Sequence, residues 1–344
     1  MKTVLVTGGT GYIGSWVVKY LLEEGHVVRV AVRDKTAAAK IRHLEIIAQS
    51  APGTLEFWEA DLLKPGSFQD AMQGCEEVYH MASPFLFSRF QDPFRELINP
   101  AVEGTRNVLE SVNRTVSVKR VILTSSVVAI YGDSADMTRQ GLTEFTEADW
   151  NISSHPRHQA YFYSKLLAEK EALRLFEGQN WWKLSVINPG FVMGPMLGKH
   201  SDSESLEFMK NMLTGKNKTG VPHIVYGYAD VRDVARAHLL AAEKGSDGRH
   251  IVVNECKSLM EVAEMLRRLS GNKYPLPKMR LPKWLMYLVG WTAGLSWKFI
   301  YNNVGYPLKF NNRKSVEQLG LQYTDLETTF ADMVTQMEEL SVVS

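Results

Sequence analysis

Cysteine is scarce. The chain has two in 344 residues, Cys75 and Cys256, far apart and in no metal or redox spacing. That excludes a disulfide framework and a cysteine-based zinc site, and it makes a reducing, cytoplasmic setting the expectation. An excess of one charge is also missing: 39 basic residues stand against 38 acidic ones, for a net charge of +1. No block of like charge is long enough to act as a nucleic-acid arm or an acidic tail, so a small-molecule partner is expected and nucleic acid is not. Long hydrophobic runs are absent too. Trp284 to Trp297 is uncharged over fourteen residues but is bracketed by Lys283 and Lys298. It falls short of the ~20 apolar residues a spanning helix needs. A buried or lid helix is the expectation there, with a helix lying on a membrane surface as the alternative. The N-terminal stretch runs through Val4-Leu5-Val6 straight into glycines, without the apolar run of a signal peptide. Nine histidines offer only His155 and His158 as a close pair, with no HExxH and no third ligand at suitable spacing, so no metal is expected.

What the sequence does contain is an ordinary globular composition, 45% hydrophobic and 22% charged, in a chain long enough for two lobes. Short β-branched runs alternate with amphipathic stretches through the first half. Strands are predicted at Thr3–Val6, Val27–Val32, Leu55–Glu59, Glu77–Met81, Arg120–Thr124 and Leu184–Ile187. Helices are predicted between them, notably at Gly14–Leu22, Ala101–Asn113 and Tyr161–Phe176, and Gly25 closes the first. Strand and helix taking turns predicts an α/β fold, a Rossmann-type doubly wound parallel sheet with helices on both faces. After Pro189-Gly190 the pattern loosens into loops and a short helix, then returns with a helix over Asp230–Ala242 and a strand over Arg249–Val253. The expected division is a dinucleotide-binding domain over 1–190, to which the chain returns at about 224–255, and a smaller C-terminal substrate-binding lobe within 191–344.

The strongest local signal is Thr7-Gly8-Gly9-Thr10-Gly11-Tyr12-Ile13-Gly14, between the first strand and the first helix. Glycines at 8, 11 and 14 allow a tight turn, a close approach to pyrophosphate and helix-on-strand packing. The helix behind them offers free N–H groups and the positive end of its dipole, so Gly8, Thr10, Gly11, Tyr12 and Ile13 are expected to hold a dinucleotide. The second strand then ends Val32-Arg33-Asp34. NAD-selective folds place a carboxylate at this point, whereas a guanidinium suits the 2′-phosphate of NADP. Arg33, with Lys40 as a second cation, therefore makes NADP(H) the expected cofactor, while the adjacent Asp34 keeps NAD open.

Tyr161-Phe-Tyr-Ser-Lys165 carries the chemistry. A spacing of four stacks phenol and ammonium on one helix face. A free tyrosine has a pKa near 10, and a neighbouring ammonium lowers it by stabilising phenolate. Tyr161 can then protonate the alkoxide that forms as hydride reaches a carbonyl carbon, with Ser126, at the end of the strand Val121–Thr124, hydrogen-bonded to the same oxygen.

These pieces, with ADL at 60–62, GCEEVYHMASP, INPAVEGTRNVLES, VILTSSV, INPGFVMGP and DVRDVARAH, resemble the extended short-chain dehydrogenase/reductase family. Within it the chain is most similar to the dihydroflavonol, cinnamoyl-CoA and microbial carbonyl reductases. The resemblance implies that Ser126, Tyr161 and Lys165 form the catalytic triad. It also implies that Asp61 and Leu62 flank the adenine, that Met81, Ala82 and Ser83 line the ribose and phosphate, and that Pro189, with Gly190 and Phe191, lies beside the nicotinamide. Two departures argue against the plant substrates. Tyr131 lies where the flavonoid enzymes carry an amide, and the catalytic helix opens Gln159-Ala160-Tyr161. Phe85, Tyr131 and Phe191 are the expected substrate-facing residues. The reading is an NADPH-dependent reductase of a ketone or aldehyde on a hydrophobic small molecule, monomeric or homodimeric. The alternatives are oxidation of a 3β-hydroxysteroid-type alcohol and a non-catalytic dinucleotide-sensing regulator, the latter disfavoured by the intact Tyr161 and Lys165.

Overall fold

The computed structural model describes residues 1–83, 91–198 and 203–343. β1 (Thr3–Thr7) runs into α1 (Tyr12–Glu23). Next come β2 (Val27–Val32), α2 (Ala38–Ser50), β3 (Thr54–Glu59), the single turn α3 (Gln69–Met72), β4 (Glu77–His80), α4 (Asn99–Asn113) and β5 (Arg120–Thr124). The short α5 (Ala135–Arg139), α6 (Ala160–Glu177) and β6 (Lys183–Pro189) follow. The chain then forms β7 (Phe191–Met193), α7 (Glu204–Leu213), β8 (Val221–Pro222), β9 (Val225–Asp230), α8 (Val231–Lys244) and β10 (Gly248–Val252). β11 (Glu255–Ser258), α9 (Leu259–Ser270), β12 (Arg280–Leu281), α10 (Lys283–Val289), α11 (Trp297–Asn303), α12 (Arg313–Leu319) and α13 (Leu326–Glu339) complete it.

Seven strands make one parallel sheet in the order β10-β6-β5-β4-β1-β2-β3. The order reverses between β1 and β4, and a doubly wound sheet opens its ligand crevice at that point, beyond the carboxyl ends of the strands. Strands buried on both faces read as unbroken apolar runs, and Val4, Leu5 and Val6 have no exposed surface at all. On one face Val4 and Val6 pack with Trp16, Val17 and Leu21 of α1 and Val234 of α8. On the other, Leu5, Val78, Val121 and Val186 pack with Val108 of α4 and Ala172 of α6. Gly25 takes φ +79° just past α1, the left-handed backbone expected where a helix turns sharply into a strand.

The strands predicted over the first half form, with ends moved by one or two residues. The small sheet β11-β9-β7 is an addition to that expectation. Its strands are short, and β7 follows β6 almost directly, so no turn signal separates them. β9 pairs parallel with β7 and antiparallel with β11. Beneath it lies a separate core of Met209, Met212, Tyr228, Val262, Leu266, Phe330 and Met333. The buried or lid helix expected over 284–297 does not form as one helix. α10 ends at Val289, a single 3₁₀ turn spans Gly290–Ala293, and Gly294 at φ +74° breaks the segment before α11 starts at Trp297. Trp284, Trp291 and Trp297 are 65%, 74% and 69% exposed. Among the described residues, no helix is long and apolar enough to cross a membrane.

Candidate active site

The glycine loop is built by contacts that leave no room for side chains. Gly8 sits at φ +72°, and a Cβ there would lie 2.7 Å from the Ala82 backbone nitrogen at the end of β4. A Cβ on Gly14 would lie 2.1 Å from the Gly8 carbonyl oxygen. The Gly11 N–H donates to that carbonyl at 3.0 Å, closing the turn. Thr7 ties the two strand ends at the switch point: its Oγ1 accepts from the N–H groups of Met81 at 3.2 Å and Ala82 at 3.1 Å. α1 thus presents its N-terminus, with no side-chain cap, to the crevice. This cradle fits a dinucleotide pyrophosphate.

Arg33 directly follows β2. It is exposed and enters no hydrogen bond or ion pair among the described residues. The neighbouring Asp34 carboxylate is engaged locally, accepting from Thr36 N–H at 2.8 Å and Thr36 Oγ1 at 2.6 Å. Lys40 is exposed near the start of α2. The loop of Asp61 and Leu62 is fixed from behind by Asn107 of α4, whose amide donates to the carbonyls of Asp61, Leu62 and Lys64.

α6 is aimed by a buried polar hub. Its first turn is preceded by Gln159 in the left-handed region at φ +57°, held by bonds from its amide to Gly132 O at 2.6 Å and Asp133 Oδ1 at 2.7 Å. The Asp133 side chain has no exposed surface, and it also accepts from His158, Asn302 and Asn303 at 2.7–2.9 Å. Burial works to raise its pKa, but the hydrogen bonds from His158 and Asn303 outweigh this and hold it below the usual carboxylate range. His158 therefore orients a carboxylate. Among the described residues, no cluster of three or more His, Cys, Asp or Glu stands where it could hold a metal ion.

From that start Tyr161 and Lys165 project from one face, with Lys165 Nζ 5.9 Å from the Tyr161 ring centroid. Burial lowers the Lys165 ammonium to about 8, with Glu169 opposing the shift. Burial also raises the Tyr161 phenol, with Glu204 adding to the effect. The lowering of that phenol by its lysine, expected from the spacing, does not appear: burial dominates and moves the group the other way. Ser126, in extended backbone at the end of β5, points Oγ to the Pro189 carbonyl at 3.4 Å and accepts from Val128 N–H at 3.3 Å.

Beneath these side chains lies a buried ionic network that the sequence did not disclose. Glu169, one turn after Lys165, accepts from Ser125 Oγ and from Asn188 Nδ2 at 2.8 Å. The Asn188 amide also donates to Ser126 O at 3.2 Å. Arg249 Nε of β10 stands 2.5 Å from Glu169 Oε1, off the hydrogen-bond axis, so charge rather than a directed bond makes this contact.

One cavity of about 610 Å³ joins these parts. It runs from Gly8, Gly11, Tyr12 and Ile13 past Met81 and Ser83 to Ser126, Tyr161, Lys165 and Pro189. It then opens between Tyr131 and Phe191 into the C-terminal lobe. Thr10, Arg33, Lys40, Asp61, Leu62 and Ala82 do not line it, and Phe85 lies outside the described residues. Tyr131 is 6% exposed and packs among Phe145, Phe162 and Phe310, edge-on to the last two. The lobe contributes an apolar wall of Phe208, Met212, Tyr226 and Leu259, with Phe191 edge-on to Phe208 at 5.2 Å. Glu204 and Glu207 are its acidic members, and burial raises the pKa of Glu204. No motif marks these positions, because a weakly patterned stretch supplies them and only the fold brings them to the site.

A doubly wound parallel sheet whose glycine cradle opens onto a Ser, Tyr and Lys cluster defines the class: a dinucleotide-dependent oxidoreductase fold. Residues 4–254 match the family model described as the NAD dependent epimerase/dehydratase family. A cinnamoyl-CoA reductase of Medicago truncatula is 34% identical over 342 residues, covering 98% of this chain and 96% of that protein. A dihydroflavonol 4-reductase of Gerbera hybrida is 34% identical over 275 residues, 79% of this chain and 73% of its own. Among solved structures, Gre2 of Candida albicans in complex with NADPH superposes with a TM-score of 0.80 at 28% identity, covering 98% and 99% of the two chains. The protein belongs to this family, the extended short-chain dehydrogenases/reductases, as the motifs implied.

Proposed function

We propose that the protein is an NADPH-dependent reductase of a ketone or aldehyde on a hydrophobic small molecule. The observation that carries this is the single cavity in which Ser126, Tyr161 and Lys165 stand between the glycine cradle and an apolar wall. NADPH is favoured by the exposed, unpaired Arg33 beside an Asp34 already occupied by Thr36, and it is the cofactor of the Gre2 structure. When bound, the dinucleotide supplies hydride to the carbonyl carbon. Tyr161 gives its hydroxyl proton to the carbonyl oxygen, and burial favours the neutral phenol that this role requires. Lys165 holds a positive charge beside Tyr161 at neutral pH and stabilises the phenolate left behind. Ser126 donates to the same oxygen and, with its Oγ beside Pro189, orients the carbonyl. Phe191, Phe208, Tyr226 and Leu259 favour an apolar or aromatic substituent. The two free cysteines suit a reducing, cytoplasmic setting.

The test is a panel of aliphatic and aromatic ketones and aldehydes, with NADPH absorbance followed, and of sterol 3β-alcohols with NADP⁺. Reduction of apolar carbonyls supports the reading. Turnover of the sterols alone would replace it.

A further inference from the structure

The C-terminal lobe carries an exposed aromatic face. α10 and α11 turn Met286 and Ile300 inward onto Ile224 and Val304, and both are buried. The opposite side leaves Met279, Trp284, Leu288, Trp291 and Trp297 in water, each at least half exposed. Isolated apolar side chains on a surface need no explanation, but a run of three indoles with a leucine and a methionine marks an interaction surface.

The charge around it names the partner. Residues 265–316 contain ten Lys and Arg and not one Asp or Glu. The cations are spaced out, which is why no like-charge block is visible along the chain. Those remote from the aromatic face are neutralised by other elements: Arg268 pairs with Glu327, Lys273 with Glu338 and Lys309 with Glu144. Those that rim it, Lys278, Arg280, Lys283 and Lys298, enter no ion pair among the described residues. Arg139 of α5 stands over the Tyr301 ring and adds a further cation. Lys283 donates to the Tyr301 carbonyl and Lys298 meets His155, so both keep a charge that no carboxylate neutralises. Indoles bordered by such lysines are the composition of a segment lying at a lipid–water boundary. A symmetric second copy would bring like charges face to face, which is costly.

We infer that this face docks on an anionic bilayer surface, with Trp284, Leu288, Trp291 and Trp297 entering the headgroup region and the rim cations facing acidic lipid. The helices are too short to span, so the association is peripheral and reversible. The face is joined to the substrate cavity. Arg280 and Leu281 pair with Val221 and Pro222, and Val221, Tyr226 and Leu259 line the cavity behind it. The docking itself does not depend on the reductase reading.

The test is flotation of the full chain with phosphatidylcholine vesicles, with and without phosphatidylserine, at low and high salt. Binding is expected on the phosphatidylserine vesicles, weaker on phosphatidylcholine alone, and screened by salt. Trp284→Ser/Leu288→Ser/Trp291→Ser should weaken it by about tenfold for each side chain removed. Its unfolding midpoint should be unchanged, because the three positions are exposed. Lys278→Glu/Lys298→Glu should weaken binding to the anionic vesicles and leave the neutral ones unaffected. Four outcomes would each overturn the inference: no flotation with anionic vesicles, equal binding to both compositions, unchanged binding of the triple Ser variant, or a dimer that the triple Ser variant dissolves while vesicles bind neither form.

Discussion

Replacing Arg249 by methionine isolates the network beneath the active site. Glu169 has no exposed side-chain surface and Arg249 only 8%, and their charged atoms stand 2.5 Å apart. Two bonds to the Glu147 and Asp149 carbonyls, at 2.7 and 2.6 Å, and stacking on Trp150 at 3.9 Å hold the guanidinium in place. Removing one partner of such a pair strands the other charge in low dielectric, at a cost of about 3–5 kcal/mol. A folded domain has a total stability of about 5–15 kcal/mol, so the loss is large. In Glu169→Gln/Arg249→Met the stranded charge is gone, and the amide can still accept from Ser125 and Asn188. The double variant should therefore recover about 1–3 kcal/mol of the single variant's loss, the coupling expected of contacting residues. Urea unfolding midpoints of the parent and the three variants measure this. Strictly additive losses, or a single-variant loss below about 1 kcal/mol, would refute the reasoning.

Two further outcomes test the site. Arg33→Ala should raise the KM for NADPH by about tenfold, the low end for charge-assisted bonds at an exposed position, and leave that for NADH unchanged. Equal changes for both cofactors would remove Arg33 from the 2′-phosphate site. Burial lowers the Lys165 ammonium to about 8, so its charge is present below that pH and lost above it. kcat/KM should accordingly fall as pH rises through about 8, and Lys165→Met should abolish that descending limb along with most of the activity.

How much of this was legible in the sequence follows the range of each interaction. The glycine loop, the apolar strands and the Tyr161–Lys165 spacing are local, and the structure reproduces each where the sequence placed it. Asp133 could not be read, because its donors His158, Gln159, Asn302 and Asn303 come from two segments more than a hundred residues apart. The Glu169–Arg249 pair spans α6 and β10 for the same reason. The uncharged stretch at 284–297 misled in the usual way. Apolar composition suggested burial, but α10 ends at Val289, Gly294 at positive φ breaks the segment, and only Met286 and Gly290 are fully buried while Tyr287 and Leu295 pack partly against the core. Tyr131 shows the intermediate case. Its identity argued against the plant substrates, yet its place between the cavity and the cluster of Phe145, Phe162 and Phe310 needed the fold.

The central claim is that the Tyr161 hydroxyl supplies the proton to a carbonyl oxygen. Tyr161→Phe removes only that oxygen and keeps the ring against Phe162. Single-turnover NADPH oxidation with a reactive aldehyde should fall by about 10²–10⁴-fold, the range for loss of a general acid. NADPH binding measured by fluorescence titration should stay within about twofold of the parent, less than 1 kcal/mol. Oxidation at the parental rate, with cofactor binding intact, would contradict the account.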